Sequence, residues 1–206
     1  MKQLLKIIWG IIETFIKSSK KEDTSPPEIE TPFSISDISK ELPWHKSRTW
    51  SKRALGAIDK IVVHQSLTSY KNSTLEGINN YHIKPGKQNH ISPNGAPHIC
   101  YHFGIDGEGN VFQMNNLSHT VWHCKGKNTS AVGILVLGDF NGPSYEGKDV
   151  EPTEAQVVSL GKLINNLLSR ENLSISKQEV YGHKDFGKEN CPGLTLGAFV
   201  DKFKQS

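Results

Sequence analysis

The stretch AVGILVLGDF, residues 131–140, is apolar almost without interruption. A strand with one wet face alternates apolar and polar residues. An unbroken run is expected of a central strand covered on both faces, as in a sheet with helices packed against it. Working outward, DKIVVHQS (59–66) is a second short, β-branched run that delivers His64 at its C-terminal end. ICYHFGIDGEGNVFQM (99–114) reads as a hairpin, two strands around an Asp-Gly-Glu-Gly-Asn turn, with Tyr101 in the first strand. QEVYGH (178–183) is a further strand, which delivers His183 to a loop.

Helices alternate with these strands. STLEGINNYHI (73–83) carries Ser73 and Glu76 in capping-box spacing. PTEAQVVSLGKLINNLLSR (152–170) does the same with Thr153 and Gln156, then sets Val157, Leu160, Ile164 and Leu167 on one face. LGAFVDKF (196–203) makes a final helix. Together these segments predict an α/β domain, a central mixed β-sheet flanked by helices.

Composition narrows the function classes. At 206 residues with 35% hydrophobic and 22% charged residues, the chain has room for one globular domain with a substantial core, plus a tail. The formal net charge of +3 sits in residues 1–22, where Lys2, Lys6, Lys17, Lys20 and Lys21 outnumber Glu13 and Glu22; the remaining 184 residues hold 19 basic and 19 acidic groups. No domain-wide positive field is left to attract phosphates, so nucleic acid is not the expected partner. Three cysteines, Cys100, Cys124 and Cys191, have the wrong parity for a disulfide scaffold.

Residues 1–17 place Leu4, Leu5, Ile8, Ile11, Ile12, Phe15 and Ile16 on one stripe of an amphipathic helix, interrupted by Lys6 and Glu13 and shorter than the ~20 apolar residues a membrane span requires. It reads as a helix that docks on a membrane surface or a partner, as one packed on the domain, or as a secretory leader, though a long apolar core and a small-residue cleavage site are missing. Residues 18–33, polar and proline-bearing, read as a linker, and 34–206 as the globular domain.

Two histidines at strand ends and a cysteine in GHKDFGKENCPG (182–193) suffice for a catalytic zinc, which takes three protein ligands and keeps a fourth position open. The same residues allow a Cys191–His183 nucleophilic pair, although Cys191 precedes a proline rather than opening a helix that would lower its pKa.

From about Lys60 to Lys202 the sequence resembles the zinc-dependent N-acetylmuramoyl-L-alanine amidases, a family that includes phage lysozyme-type amidases and peptidoglycan recognition proteins. The segments that carry the resemblance come in the family's order: IVVHQS, NNYH, ICYHFGIDGEGNVFQM, HTVWHCKGKNTSAVGILVLGDF, PTEAQVVSLGKL and GHKDFGKENCPG. The resemblance implies one zinc ion held by His64, His183 and Cys191, in a groove above one face of the sheet. It also implies that Tyr101 stands beside the metal as a hydrogen-bond donor, and that His123 lines the substrate groove. The implied reaction is hydrolysis of the amide between N-acetylmuramic acid and L-alanine in peptidoglycan or a muropeptide. The setting would be cell-wall lysis, as by an endolysin, or wall remodelling.

The sequence departs from the family two positions before the cysteine, where enzymatic relatives carry Lys or Thr and this chain has Glu189 beside Lys188. An ionised carboxylate cannot donate a hydrogen bond, so either Glu189 acts as a base or Lys188 reaches the site. The alternative reading is a non-catalytic peptidoglycan-binding module; within the family, loss of the cysteine ligand accompanies loss of catalysis, and Cys191 is present. A third reading, a cysteine hydrolase, predicts activity that survives chelation but not thiol alkylation.

KPGKQNHISPNGAPHI (84–99) is expected as a loop at the groove's rim. His82, His90, His98 and His102 read as structural, Asn128 as a loop-shaping side chain, and Cys100 and Cys124 as buried small hydrophobes. A wall substrate requires access to the wall, by export or by release through a membrane lesion.

Overall fold

The computed structural model describes residues 33–142, 149 and 151–205. The helix expected over 1–17 and all but the last residue of the linker expected over 18–33 lie outside them.

The apolar runs become the middle of a six-stranded sheet. Strands β1 (Ile35–Asp37), β2 (Lys60–Gln65), β3 (Phe103–Ile105), β4 (Val111–Gln113), β5 (Ala131–Val136) and β6 (Val180–Gly182) are arranged in the order β1-β4-β3-β5-β2-β6. β5 is buried along its whole length, between β3 and β2 and parallel to both. β6 adds in parallel on the other side of β2. The hairpin partners β3 and β4 are antiparallel, and β1 pairs with β4 in parallel, which makes the sheet mixed. β1 was not foreseen from the sequence: at three residues it carries no readable period, and only its distant partner defines it.

The hairpin turn is set by Asp106, whose carboxylate accepts from the backbone N–H groups of Glu108 and Asn110 at 3.0 and 2.9 Å. Gly109 holds φ +83°, and a Cβ there would stand 2.7 Å from the Ala155 carbonyl oxygen, so the turn and the next helix fit only around a glycine.

Three helices cover the sheet: α1 (Leu75–Ile83), α2 (Glu154–Leu168) and α3 (Leu194–Gln205). α2 has the capping box expected from Thr153 and Gln156, and buries Val157, Leu160, Leu163, Ile164 and Leu167. Its start is tied to the sheet by Gln156 Nε2, which donates to the Leu137 carbonyl at 2.7 Å. α1 starts differently from its sequence reading. Thr74, not Ser73, is the N-cap and accepts from Gly77 N, so the third helical residue is a glycine and Glu76 cannot close a capping box. Ser73 is drawn instead into the preceding turn, donating its N–H to the Ser69 carbonyl at 2.9 Å. α3 packs on β6 and starts two residues before the expected segment, at Leu194.

His64 pairs in register with Leu135, so the two side chains share one face of the sheet. Leu135 belongs to the cluster with Leu42, Leu75, Ile99 and Met114, against which Ile78 and Tyr101 pack. The face that carries His64 is thus the one α1 partly covers, and a groove is left open at the C-terminal ends of β2 and β6.

Candidate metal centre

β2 presents His64 as its penultimate residue, 1% exposed. β6 ends at Gly182 and the chain turns at once into a short 3-10 segment, His183–Phe186. Asp185 supports that turn by accepting from Gly182 N at 3.0 Å, and Gly187, at φ +84°, ends it. The chain then doubles back. Cys191 donates its N–H to the Lys188 carbonyl at 2.8 Å, while its own carbonyl accepts from Lys184 N at 2.5 Å.

Gln65, next to His64 on β2, staples this loop. Its Nε2 donates to the carbonyl of Asn190 and to Asn141 Oδ1, and its Oε1 accepts from Phe140 N at 2.6 Å. Gly193 completes the close fit: at φ +92°, a Cβ would stand 2.7 Å from the Phe140 carbonyl.

The result is convergence. The donor atoms of His64, His183 and Cys191 lie within 4.8 Å of one another. Cys191 Sγ is 3.7 Å from His64 Nδ1, and the rings of His64 and His183 are 4.5 Å apart. Burial, with the neighbouring His123 and His183, holds His64 well below the usual imidazole range. Burial and then Lys188 bring His183 down to about 4. Burial pushes the Cys191 thiol up to about 11. At neutral pH the site is two uncharged imidazoles and a protonated thiol. Two imidazoles and one sulfur are a donor set that suits zinc with an open fourth position, and the donor atoms already converge.

His123, 6% exposed, lies behind His64, with Nδ1 3.0 Å from His64 Nε2 and Nε2 3.3 Å from the Ala131 carbonyl. Tyr101 stands two residues ahead of β3 rather than within it, its ring 5.1 Å from that of His64. Burial, then Cys191 and Cys100, raise its hydroxyl above the usual phenol range, so it remains a donor at neutral pH.

A cavity of about 550 Å³ opens over these groups, lined by His64, Tyr101, His123, His183 and Cys191 among others. From the loop between His183 and Cys191 it is Lys188 that lines the cavity; Glu189 is exposed outside the lining. A second cavity of about 410 Å³ shares Gln65, Leu67, His90 and Tyr101 with the first, which extends the groove past the metal group. His90 and Ile91 bring the 84–99 loop to this groove. Leu67, 58% exposed and at φ +58°, stands between the two cavities.

The other histidines stand apart from the donor group. His82 Nδ1 accepts from Cys100 N at 3.1 Å, His102 Nδ1 accepts from Gly133 N at 3.0 Å, and His98 stacks on Trp44 at 4.3 Å. Asn128 Oδ1 accepts from Cys124 N at 2.7 Å, closing the turn after His123. Cys100 and Cys124 are buried and free. Sequence reasoning did not single out Gln65, Leu67 or Lys125. For Gln65 a signal was available, since it directly follows a strand-end histidine; the other two are surface residues with no local pattern.

A family model described as N-acetylmuramoyl-L-alanine amidase matches residues 54–194. The peptidoglycan-recognition protein SC2 of Drosophila simulans is 26% identical over 160 residues, covering 77% of this chain and 82% of that protein. The endolysin of Enterobacteria phage T3 is 30% identical over 105 residues, covering 50% of this chain and 65% of that one. Among solved structures, the endolysin amidase LysCS of Clostridium intestinale superposes with a TM-score of 0.57 at 24% identity, over 82% of this chain and 94% of its own.

Proposed function

This chain belongs to the N-acetylmuramoyl-L-alanine amidase family, and from that premise we propose that it hydrolyses the amide joining the lactyl group of N-acetylmuramic acid to L-alanine in peptidoglycan or muropeptides. The observation that carries the reading is the convergence of His64, His183 and Cys191 within 4.8 Å at the floor of the groove. These three side chains would hold one zinc ion. When bound, zinc supplies Lewis acidity toward a carbonyl and toward water near neutral pH.

The chain's own groups do the rest. The groove orients the substrate with its scissile carbonyl over the donor group. As the amide carbon becomes tetrahedral, its oxygen gains charge, and the Tyr101 hydroxyl donates a hydrogen bond to it. Lys188, on the cavity wall, supplies a second donor, this one cationic, to that oxygen or to the leaving amine. Glu189 is exposed outside the cavity lining, so of the two alternatives at this position the geometry supports Lys188, not Glu189, as the group that reaches the reacting atoms. A Lys188→Ala variant is therefore expected to lose turnover, by ~10² or more, with its zinc content unchanged, whereas Glu189→Gln should keep turnover; a large loss in Glu189→Gln would restore the carboxylate to the mechanism.

A binding module without turnover is the second reading, favoured by the recognition proteins among the relatives and by the exposed position of Glu189. Incubation with defined muropeptides separates the two, with products read by mass spectrometry. The amidase releases stem peptide with a new L-alanine amino terminus, loses this on chelation and regains it with zinc. A binding module leaves the muropeptide intact but bound. A cysteine hydrolase survives chelation and is stopped by thiol alkylation.

A further inference from the structure

We propose that His123 is a positioning residue that fixes the tautomer and ring orientation of His64, and that the half-buried Arg53 holds His123 in turn through the carbonyl of Ala131. The inference rests on the reading of His64 as a metal ligand.

The chain of donors and acceptors can be followed from the backbone outward. A carbonyl oxygen only accepts, so the His123 nitrogen that faces it, Nε2 at 3.3 Å from Ala131 O, carries the hydrogen. A neutral imidazole has one N–H, which leaves His123 Nδ1 bare. That bare nitrogen lies 3.0 Å from His64 Nε2, which must then carry the hydrogen of the second ring. His64 is left with a bare Nδ1, the nitrogen 3.7 Å from Cys191 Sγ. The relay thus turns the ligating lone pair toward the other two donors. Reversing both tautomers would set the bare Nε2 of His123 against the Ala131 oxygen, two acceptors facing each other away from water.

The far end of the relay is anchored. Arg53 NH1 donates to the same Ala131 oxygen at 2.7 Å and to the Asn128 carbonyl at 2.7 Å, and Arg53 Nε donates to the Leu117 carbonyl at 2.9 Å. The Ala131 carbonyl is therefore held from two sides. Space is provided by Gly133 on β5, where a Cβ would stand 2.6–2.9 Å from Cγ, Nδ1 and Cδ2 of His123. Both His123 nitrogens are committed, so the ring meets the cavity with its carbon edge. Hydrogen-bonded partners of this kind commonly change metal affinity by 10–100-fold when removed.

The test uses the full chain and three variants. Asn at 123 places an amide oxygen where Nδ1 accepts, Leu removes every nitrogen, and Gly133→Ala displaces the ring without altering it. Zinc affinity is read by competition with a chromophoric chelator, and the tautomer of His64 in metal-free protein by long-range nitrogen–proton NMR. The expected result is a protonated Nε2 on His64 in the parent chain. H123L and G133A should lower zinc affinity by about 10–100-fold, and H123N should recover most of the loss. A parent chain with the proton on His64 Nδ1, or an H123L variant that binds zinc as the parent does, would overturn the proposal. If H123L does not fold, the parent tautomer and H123N still decide. A parent chain that shows the expected tautomer but binds no zinc leaves the relay standing and removes the metal-centre reading instead.

Discussion

Two histidine-bearing regions share the interior of this domain, and they differ in what their nitrogens are free to do. At the ends of β2 and β6, His64 and His183 converge with Cys191. Behind them, His82 and His102 are as deeply buried, and burial likewise holds both below the usual imidazole range, His82 at about 3. Burial and a lowered pKa therefore do not mark a ligand. His102 Nδ1 accepts from Gly133 N, while its Nε2 lies 2.9 Å from Arg53 NH2 and 3.1 Å from the His119 carbonyl. His82 Nδ1 is taken by Cys100 N. In the first region a lone pair stays bare and faces two others; in the second the lone pairs are spent on backbone. His123 joins the two regions, one nitrogen on backbone and one on His64.

The sharpest way to break this contrast is to exchange the effects. Cys191→Ser should lower zinc affinity on the order of 100-fold or more, abolish turnover and leave the fold intact by circular dichroism. Tyr101→Phe comes next: turnover should fall by ~10²–10³ with zinc affinity unchanged, because the hydroxyl acts on the substrate and not on the donor group. In the second region, His102→Leu should do the reverse. It orphans Gly133 N, worth about 1–3 kcal/mol, so denaturant midpoints drop, while Arg53 keeps its bonds to the Leu117, Asn128 and Ala131 carbonyls and the folded variant still binds zinc. Equal loss of zinc affinity in the Cys191 and His102 variants would erase the distinction.

An effect common to both regions shows what they share. Above pH 6.5 neither the folded nor the unfolded chain protonates His82 or His123. Below it the unfolded chain takes up protons that the folded chain, with these rings at about 3, refuses. Stability of the metal-free protein should therefore fall as pH drops from 6.5 toward about 3, by at most ~1.4 kcal/mol per pH unit for each such ring. Denaturant titrations at several pH values read it directly; a profile flat across that window would mean the rings are not held neutral.

Much of this architecture is legible locally. The apolar run of β5, the β-branched run of β2 and the Thr153–Gln156 box each follow from residues a few positions apart. So does the hairpin turn around Asp106. The positions of His64, His183 and Cys191 are legible too, because two follow strand runs and the third sits in a turn beside one of them. What escapes are relations that exist only after the chain has closed. β1 is defined by β4, 76 positions away in register at Ile35 and Val111. The capping residue of α1 moved to Thr74 because Ser73 was claimed by Ser69. The relay from Arg53 to His64 passes through four positions far apart or on different elements, Arg53, Ala131, His123 and His64, and no spacing in the sequence announces it.

The most direct measurement is a calorimetric zinc titration of the metal-free chain at pH 7, repeated in buffers of different ionisation enthalpy. His64 and His183 are already unprotonated there, and only the Cys191 thiol, at about 11, has a proton to give. One zinc per chain should bind with release of about one proton, and Cys191→Ser should bind on the order of 100-fold more weakly and release no proton. Tight zinc binding that survives in Cys191→Ser, or no binding in the parent chain, would contradict the metal-centre reading.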